Sequence, residues 1–299
     1  MELREMRAFI AVVEEGGLSA AARRLHVSQP ALSQTIGTLE RQLGVQLLVR
    51  TRTGAQPTDA GMTLLAEARA VLARYDQAFA AVTSHAAAGG NVLRLGIPLE
   101  LPPDLLTQPL SDLAAAYPGT RVKARHLSTS AQFTALRGGE LDVGLVREHP
   151  VGQDLDAILV VEERLGVLLA AGQAERLAGP DGIRLDALAG LDWAGFARSG
   201  SPAWYDELTA ILRSHGLDLG SPAPDGQELI ADVKLAAVTA GQAFALAPPN
   251  WPWPIPDTVI WSPLAGHPLI RRTWAVWPAD SRRRDVGLFV AALEDLWRP

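Results

Sequence analysis

The chain has 299 residues, 48% of them hydrophobic, which is enough for about two domains with their own cores. It has no cysteine, so disulfides, thiolate metal sites and a cysteine nucleophile are excluded. The net charge of −6 is uneven: seven arginines against five acids make residues 1–58 net +2 and leave −8 on the rest, a split that suits a basic nucleic-acid-reading module joined to an acidic domain that does not touch nucleic acid.

The N-terminus, MELREMRAFI, is charged and amphipathic, unlike a secretory signal, and no stretch approaches 18 consecutive apolar residues. A cytoplasmic protein of bacterial type, with no membrane partner, is expected. Residues 3–15 read as a helix with Leu3, Met6, Ile10 and Val13 on its inner stripe and Phe9 beside it, stopped by Gly16-Gly17. Ser19 is placed to cap a second helix that carries Ala20, Ala21, Ala22 and Leu25. After a corner at His26-Val27, Ser28 caps a third helix, and Pro30 fits its first turn. Leu32, Ile36, Leu39 and Leu43 bury one face of that helix. Gln29, Ser33, Gln34 and Thr38 lie largely off it as uncharged groups suited to base edges. This is a helix-turn-helix pattern, whose second helix enters the DNA major groove. Gly44 ends the run, and residues 45–58 form a hairpin wing that carries Arg50 and Arg52 near phosphates.

Thr58 or Asp59 caps a long helix reaching about Ala88, with Leu65, Ala68, Leu72, Tyr75, Phe79 and Val82 spaced as a heptad seam for a partner helix. Ala86–Asn91 is the linker. Beyond it, strands alternate with helices, so a largely parallel sheet is expected. Strands are placed at 92–97, 120–127, 141–146, 156–163, 165–170, 192–196, 219–223, 243–247, 258–263 and 270–277. Helices are placed at 104–117 (kinked at Pro109), 130–138, 202–215, 228–240 and 283–297. Residues 248–257, PPNWPWPIPD, are too proline-rich for either.

Residues 1–62 resemble the LysR-type transcriptional regulators. The shared pattern is Leu3, Phe9, Val13, Ala20-Ala21, Leu25, Val27-Ser28-Gln29-Pro30-Ala31-Leu32-Ser33, Ile36, Leu39-Glu40, Leu43-Gly44, Leu47-Leu48, Arg50 and Thr58-Asp59-Ala60-Gly61. Pro118-Gly119 and Gly139-Glu140-Leu141-Asp142-Val143-Gly144-Leu145 are similar to that family's effector domain. The resemblance implies an α/β protein with an N-terminal winged helix-turn-helix (1–58) and a linker dimerisation helix and hinge (59–91). It also implies a two-lobed α/β effector domain resembling periplasmic binding proteins (92–299). Lobe I would span 92–161 and 267–299, and lobe II 162–266, with crossings near Val161-Glu162 and Leu264-Ala265-Gly266. It further implies homodimers assembling to homotetramers, and RNA polymerase as a partner if the protein activates.

Double-stranded DNA would be read by Gln29, Ser33 and Gln34 at base edges, by Pro30 against a thymine methyl, and by Ser28, Arg50 and Arg52 at phosphates. A small-molecule effector would lie between the lobes at strand C-terminal ends. Candidate contacts are Leu99, Glu100, Ser128, Thr129, Ser130, Arg147, Phe196, Arg198, Ser199, Ser201 and Pro248. Each of these reads as readily as a cap, a turn or a surface charge. The family often has small hydroxyl residues where Glu100 and its apolar neighbours stand, which speaks against a simple carboxylate effector. Trp251 and Trp253 read as a packed loop.

Nothing points to catalysis, a cofactor or a metal. Gly200-Ser201 lacks the flanks of a nucleophile elbow, and the six histidines are isolated. The alternative is a small-molecule-binding or catalytic α/β protein with a vestigial DNA-binding module. Salt-dependent DNA binding separates the two readings.

Overall fold

In the computed structural model, residues 1–51, 54–84, 92–220 and 230–297 are described, and side chains are described for these except at 50, 51, 73, 76–84 and 297. They form two compact units, one of residues 1–84 grouped with Arg137–Glu140 and one of the remaining residues from Val92. Among the described residues no helix is long and apolar enough to cross a membrane.

The N-terminal unit comprises α1 (Leu3–Glu14), α2 (Leu18–Arg24), α3 (Gln29–Leu43), β1 (Leu48–Thr51), β2 (Gly54–Pro57) and α4 (Asp59–Ser84). Phe9, Val12, Ala21, Leu32, Ile36, Leu39, Leu47 and Leu65 make its core. The inner face of α1 is rotated from the expected stripe: Phe9 and Val12 are fully buried, whereas Ile10 and Val13 border the core. Ser19 is not a cap, because α2 begins one residue earlier behind Gly17, and the Ser19 hydroxyl donates to Gln29 Oε1 at 3.1 Å instead. The α2–α3 corner turns at His26, whose φ is +55°. The expected cap on α3 forms, with the Ser28 hydroxyl oxygen accepting from Ala31 N–H at 3.3 Å. Gly44 closes α3 in the left-handed region at φ +69°, which favours glycine. Leu43 is exposed.

β1 and β2 pair antiparallel, Leu48 opposite Pro57 and Thr51 opposite Gly54. Gly54 must stay glycine: a Cβ there would sit 2.0 Å from the Gly16 carbonyl oxygen, which accepts from Ala55 N–H at 2.8 Å. The Glu40 carboxylate on α3 accepts from Leu47 N–H at 2.8 Å and Leu48 N–H at 3.2 Å, so the wing is tied to that helix. Thr58 caps α4, its hydroxyl oxygen accepting from Gly61 N–H at 3.0 Å. Glu14 receives Arg24 and Arg69, each at 2.8 Å, and joins α1 to α2 and α4. The hydrogen bond from Arg69, foremost, holds its carboxyl below the usual range.

Along α4 the expected seam divides. Leu65 and Ala68 are buried in the unit's own core, whereas Tyr75 is exposed under the Arg7 guanidinium at 5.9 Å, with Val71 exposed beside it. The side chains of Phe79 and Val82, and the linker residues 86–91, lie outside the described residues.

The C-terminal unit has two sheets. The first takes β3 (Val92–Ile97), β4 (Arg121–His126), β5 (Val143–Val146), β6 (Leu155–Arg164) and β11 (Ile270–Pro278) in the order β4-β3-β5-β11-β6, with α5 (Thr107–Ala116), α6 (Thr129–Arg137) and α10 (Arg284–Trp297). The second takes β7 (Gly166–Ala170), β8 (Asp192–Trp193), β9 (Ala243–Ala247) and β10 (Val259–Pro263) in the order β10-β7-β9-β8, with α7 (Ala171–Leu177), α8 (Pro202–Ser214) and α9 (Ala231–Thr239). Leu93, Leu95, Val143, Leu145, Phe289 and Leu293 fill the first lobe, and Val167, Leu169, Leu208, Leu212 and Phe244 the second.

The sheets are mixed, not largely parallel. β3 pairs parallel with β4 and β5, and β8 with β9, but β11 runs antiparallel to β5 and β6, and β7 runs antiparallel to β9 and β10. The cause is chain routing: β11 re-enters the first sheet from the second lobe and slots between β5 and β6 against their direction. The first crossing falls at Leu165, later than Val161-Glu162, because β6 stays paired with β11 as far as Arg164. The return runs from Leu264 to Leu269, and Leu165 N–H donates to Leu269 O at 2.9 Å, so the two crossing segments are joined.

Pro109 is not placed where it must kink the helix. α5 starts at Thr107, so the proline lies in the first turn, where no N–H partner is needed. α7 was not legible as a helix in its seven residues. Residues 219 and 220 are not strand, and 221–229 lie outside the described residues.

Candidate functional site

Two regions carry the candidate residues. On the N-terminal unit, the opening turn of α3 presents Ser28, Gln29, Pro30 and Gln34 exposed and Ser33 half-buried, above Leu32, Ile36 and Leu39. This positions uncharged hydrogen-bonding groups at the start of a helix whose other face is locked in the core, the arrangement that major-groove reading needs. Arg50 lies on β1 opposite Ala55. Its side chain, and Arg52 altogether, fall outside the described residues.

In the C-terminal unit a cavity of about 470 Å³ opens between the lobes. Leu99, Glu100, Ser128, Thr129 and Arg147 line it from the first lobe, and Phe196, Ser199 and Ser201 from the second. Ser130, Arg198 and Pro248 do not line it. Ser130 faces elsewhere on α6, and it is the Ser128 hydroxyl oxygen that caps the helix, accepting from Ala131 N–H at 3.3 Å. Arg198 is exposed in a two-point pair with Asp206, the nearer bond 2.6 Å. Pro248 is buried behind the wall.

The hydroxyls in the cavity differ. The Thr129 hydroxyl oxygen accepts from Arg147 N–H at 3.1 Å and is part of the wall. Ser201 is 6% exposed, precedes α8, does not cap it, and its hydroxyl has no hydrogen-bond partner among the described residues. A buried hydroxyl without a partner is destabilising by about 1–3 kcal/mol, so a ligand group that satisfies it gains that much. Trp193, Phe196 and Trp204 form an aromatic wall, with the Trp193 and Phe196 rings 6.0 Å apart.

The cavity floor is a buried ionic cluster that residue patterns did not indicate. Lys234 of α9 pairs with Glu100 from across the lobes. Arg271 of β11 donates to Glu100 Oε2 at 2.9 Å and to Glu163 at 3.0 Å. Arg147 Nη1 donates to Thr273 and lies 3.8 Å from Glu163, and its Nη2 donates to the Leu99 and Glu100 carbonyls at 3.0 and 2.8 Å. All five charged side chains are at most 10% exposed. Burial pushes the Glu100 carboxyl up, but Lys234 and Arg271 outweigh it and hold it below its usual value. Burial, then repulsion from Arg271, brings Arg147 down to about 9, so it stays charged at neutral pH.

Three cations against two anions leave the cluster at +1. The Glu100 charge is already matched by Lys234 and Arg271, so it is not presented unpaired to a ligand. Lys234 had one trace in the sequence, being one of two lysines in the chain and set in an otherwise apolar helix. Arg271 and Thr273 share the buried face of β11 by strand alternation. Trp251 and Trp253 pack on each other at 5.1 Å outside the cavity. Among the described residues no cluster of His, Asp or Glu is arranged to hold a metal.

Residues 3–62 match the family described as "Bacterial regulatory helix-turn-helix protein, lysR family", and residues 87–298 match "LysR substrate binding domain". The chain is 31% identical over 93% of its length to the uncharacterized HTH-type transcriptional regulator YnfL of Escherichia coli (strain K12), covering 92% of that protein. It is 32% identical to the HTH-type transcriptional regulator ClcR of Pseudomonas putida, over 84% of this chain and 86% of that one. The crystal structure of CbnR, a LysR family transcriptional regulator, shares the fold over the full length of both chains, with a TM-score of 0.70 at 24% identity. The chain belongs to the LysR family: it is a DNA-binding transcriptional regulator that joins a helix-turn-helix module to an α/β substrate-binding domain.

Proposed function

We propose that the protein regulates transcription through α3 and is controlled by a small molecule held in the 470 Å³ cavity between the lobes. Gln29 and Gln34 read base edges, Ser33 and Pro30 complete the contact, and Ser28, Arg50 and Arg52 hold phosphates. The boundaries 1–58, 59–91 and 92–299 describe the three working parts. The exposed Val71 and Tyr75 of α4 begin a seam for a second copy, and the dimer sets two α3 helices about 34 Å apart on successive major grooves. Dimers pair into tetramers in the cytoplasm, and RNA polymerase is the further partner at activated promoters. Regulation, not catalysis, is the output.

The observation that carries the effector reading is Ser201: a buried hydroxyl with no partner among the described residues, beside an aromatic wall and over a cluster of net positive charge. This favours a ligand with an anionic or strongly accepting head and an apolar body. Effector binding changes the populations of open and closed lobes, and thereby of tetramer shapes on DNA. The test is footprinting on the protein's own upstream DNA with a salt titration, repeated with each metabolite that raises the melting temperature. Two-fold related half-sites, a steep negative salt slope and a ligand-dependent footprint are expected. Ligand binding without any salt-dependent DNA binding would overturn the regulatory reading.

A further inference from the structure

A second cavity, of about 170 Å³, lies on the other side of Arg147 and Trp204, the two residues it shares with the larger one. We propose that it is a separate binding site for a short-chain monocarboxylate, with Arg272 as the anchor of the carboxylate and Trp274, Trp204 and Ile270 as the bed for the alkyl chain.

Size comes first. At about 30 Å³ per liquid water, the cavity has room for roughly five or six waters, which suits an acid of three or four carbons. Charge comes second. The lining carries two guanidinium groups, Arg147 and Arg272, against one carboxylate, Glu207. Arg147 is committed, its two terminal nitrogens donating to Thr273 and to the Leu99 and Glu100 carbonyls. Arg272 is only half committed. Its Nε donates to Glu162 at 2.7 Å, whereas its Nη1 is 3.7 Å from Glu207, too long for a hydrogen bond. Glu207 is 53% exposed on α8 and can turn to water when another carboxylate takes its place. A carboxylate at the outer edge of Arg272 makes the fork-shaped contact that this guanidinium lacks.

The apolar side is equally specific. His149 meets Trp274 edge to face, centroids 4.8 Å apart and planes at 89°, which holds the indole as a fixed wall. Trp204 is held by its own backbone, its N–H donating to the Glu148 carboxylate at 3.0 Å. The site stands whether or not the larger cavity takes the effector, and its test is direct binding.

The full-length protein is titrated with sodium propionate at constant ionic strength and followed by calorimetry, with propionamide and sodium chloride as comparisons. Saturable propionate binding is expected, weakened about tenfold for propionamide and by Arg272→Gln. Glu207→Gln removes the competing carboxylate and should tighten binding severalfold. Ser201→Ala, in the larger cavity, should leave propionate affinity unchanged. Absence of saturable binding, an equal response to chloride, or a loss with Ser201→Ala but not with Arg272→Gln would overturn the proposal. If Arg272→Gln lowers the melting temperature, the half-exposed Glu207→Gln decides alone: unchanged or weaker affinity overturns it.

Discussion

The face of α3 and the floor of the larger cavity are built from opposite materials. Gln29, Pro30 and Gln34 are exposed and uncharged over a hydrocarbon core, with Gln29 Oε1 accepting from the Ser19 hydroxyl, so solvent covers this face until DNA replaces it. Glu100, Glu163, Arg147, Lys234 and Arg271 are buried and charged, and must satisfy one another. The difference separates recognition from stability. Changes to Gln29 and Gln34 on the exposed face of α3 should alter binding and leave folding alone, whereas changes in the cavity floor act on folding before any ligand arrives.

The strongest test of that contrast is Glu100→Gln. Removing one partner from a buried ionic network leaves uncompensated charge, so a loss of about 3–5 kcal/mol of stability is expected. All eight tryptophans lie at Trp193 or beyond, so tryptophan fluorescence reports unfolding of the C-terminal unit alone. An unchanged fluorescence melting curve would break the comparison. Acid sharpens it. Glu100 titrates below its ordinary 4.5 in the folded state, so the stability it supplies is complete above that value and is lost as pH falls through the lower, folded one. The gap in stability between wild type and Glu100→Gln should therefore be full at neutral pH and shrink below about pH 4.

Next in size is the double substitution Gln29→Ala, Gln34→Ala. It should lose about 1–3 kcal/mol for each base contact removed, measured as discrimination between cognate and random DNA. The slope of affinity against salt should not change, because no phosphate contact is removed. A melting temperature that falls with specificity would show that the two glutamines support the fold. Ser28→Ala is smaller, about 1 kcal/mol from the lost cap on α3, and hydrogen exchange at Ala31 should report it. Last is Ser201→Ala, which removes a buried hydroxyl that has no hydrogen-bond partner among the described residues. Stability should not fall, and should gain up to the about 1–3 kcal/mol that the unpaired group costs, while affinity for a discovered effector falls. A clear loss of stability would mean the hydroxyl supports the fold rather than the ligand.

The same contrast explains what the residues disclosed. The helix-turn-helix is written in local terms: Ser28 as cap, Pro30 in the first turn, Leu32, Ile36 and Leu39 at helical spacing, Gly44 as stop. Each needs only neighbours within a few positions. Glu100 and Arg271 stand 171 residues apart and meet only because β11 returns from the other lobe. No spacing rule reaches that far. Ser128 and Ser130 show the limit at short range, since either one suits the start of α6 and only the backbone selects Ser128. The mixed sheet direction had the same origin, because strand and helix alternate in order whether the chain stays in one lobe or crosses twice.

The bond from Leu165 N–H to Leu269 O has a mechanical consequence. Two independent tethers between lobes would allow shear, twist and bending in combination. Joined where they enter the first lobe, and continued by the Arg164–Ile270 pair, these behave as a single ribbon that flexes easily only across its width. The lobes then share close to one degree of freedom, and a ligand that draws them together needs to freeze little else. An affinity that a freely jointed pair would spend on ordering is thereby left for selecting among ligands.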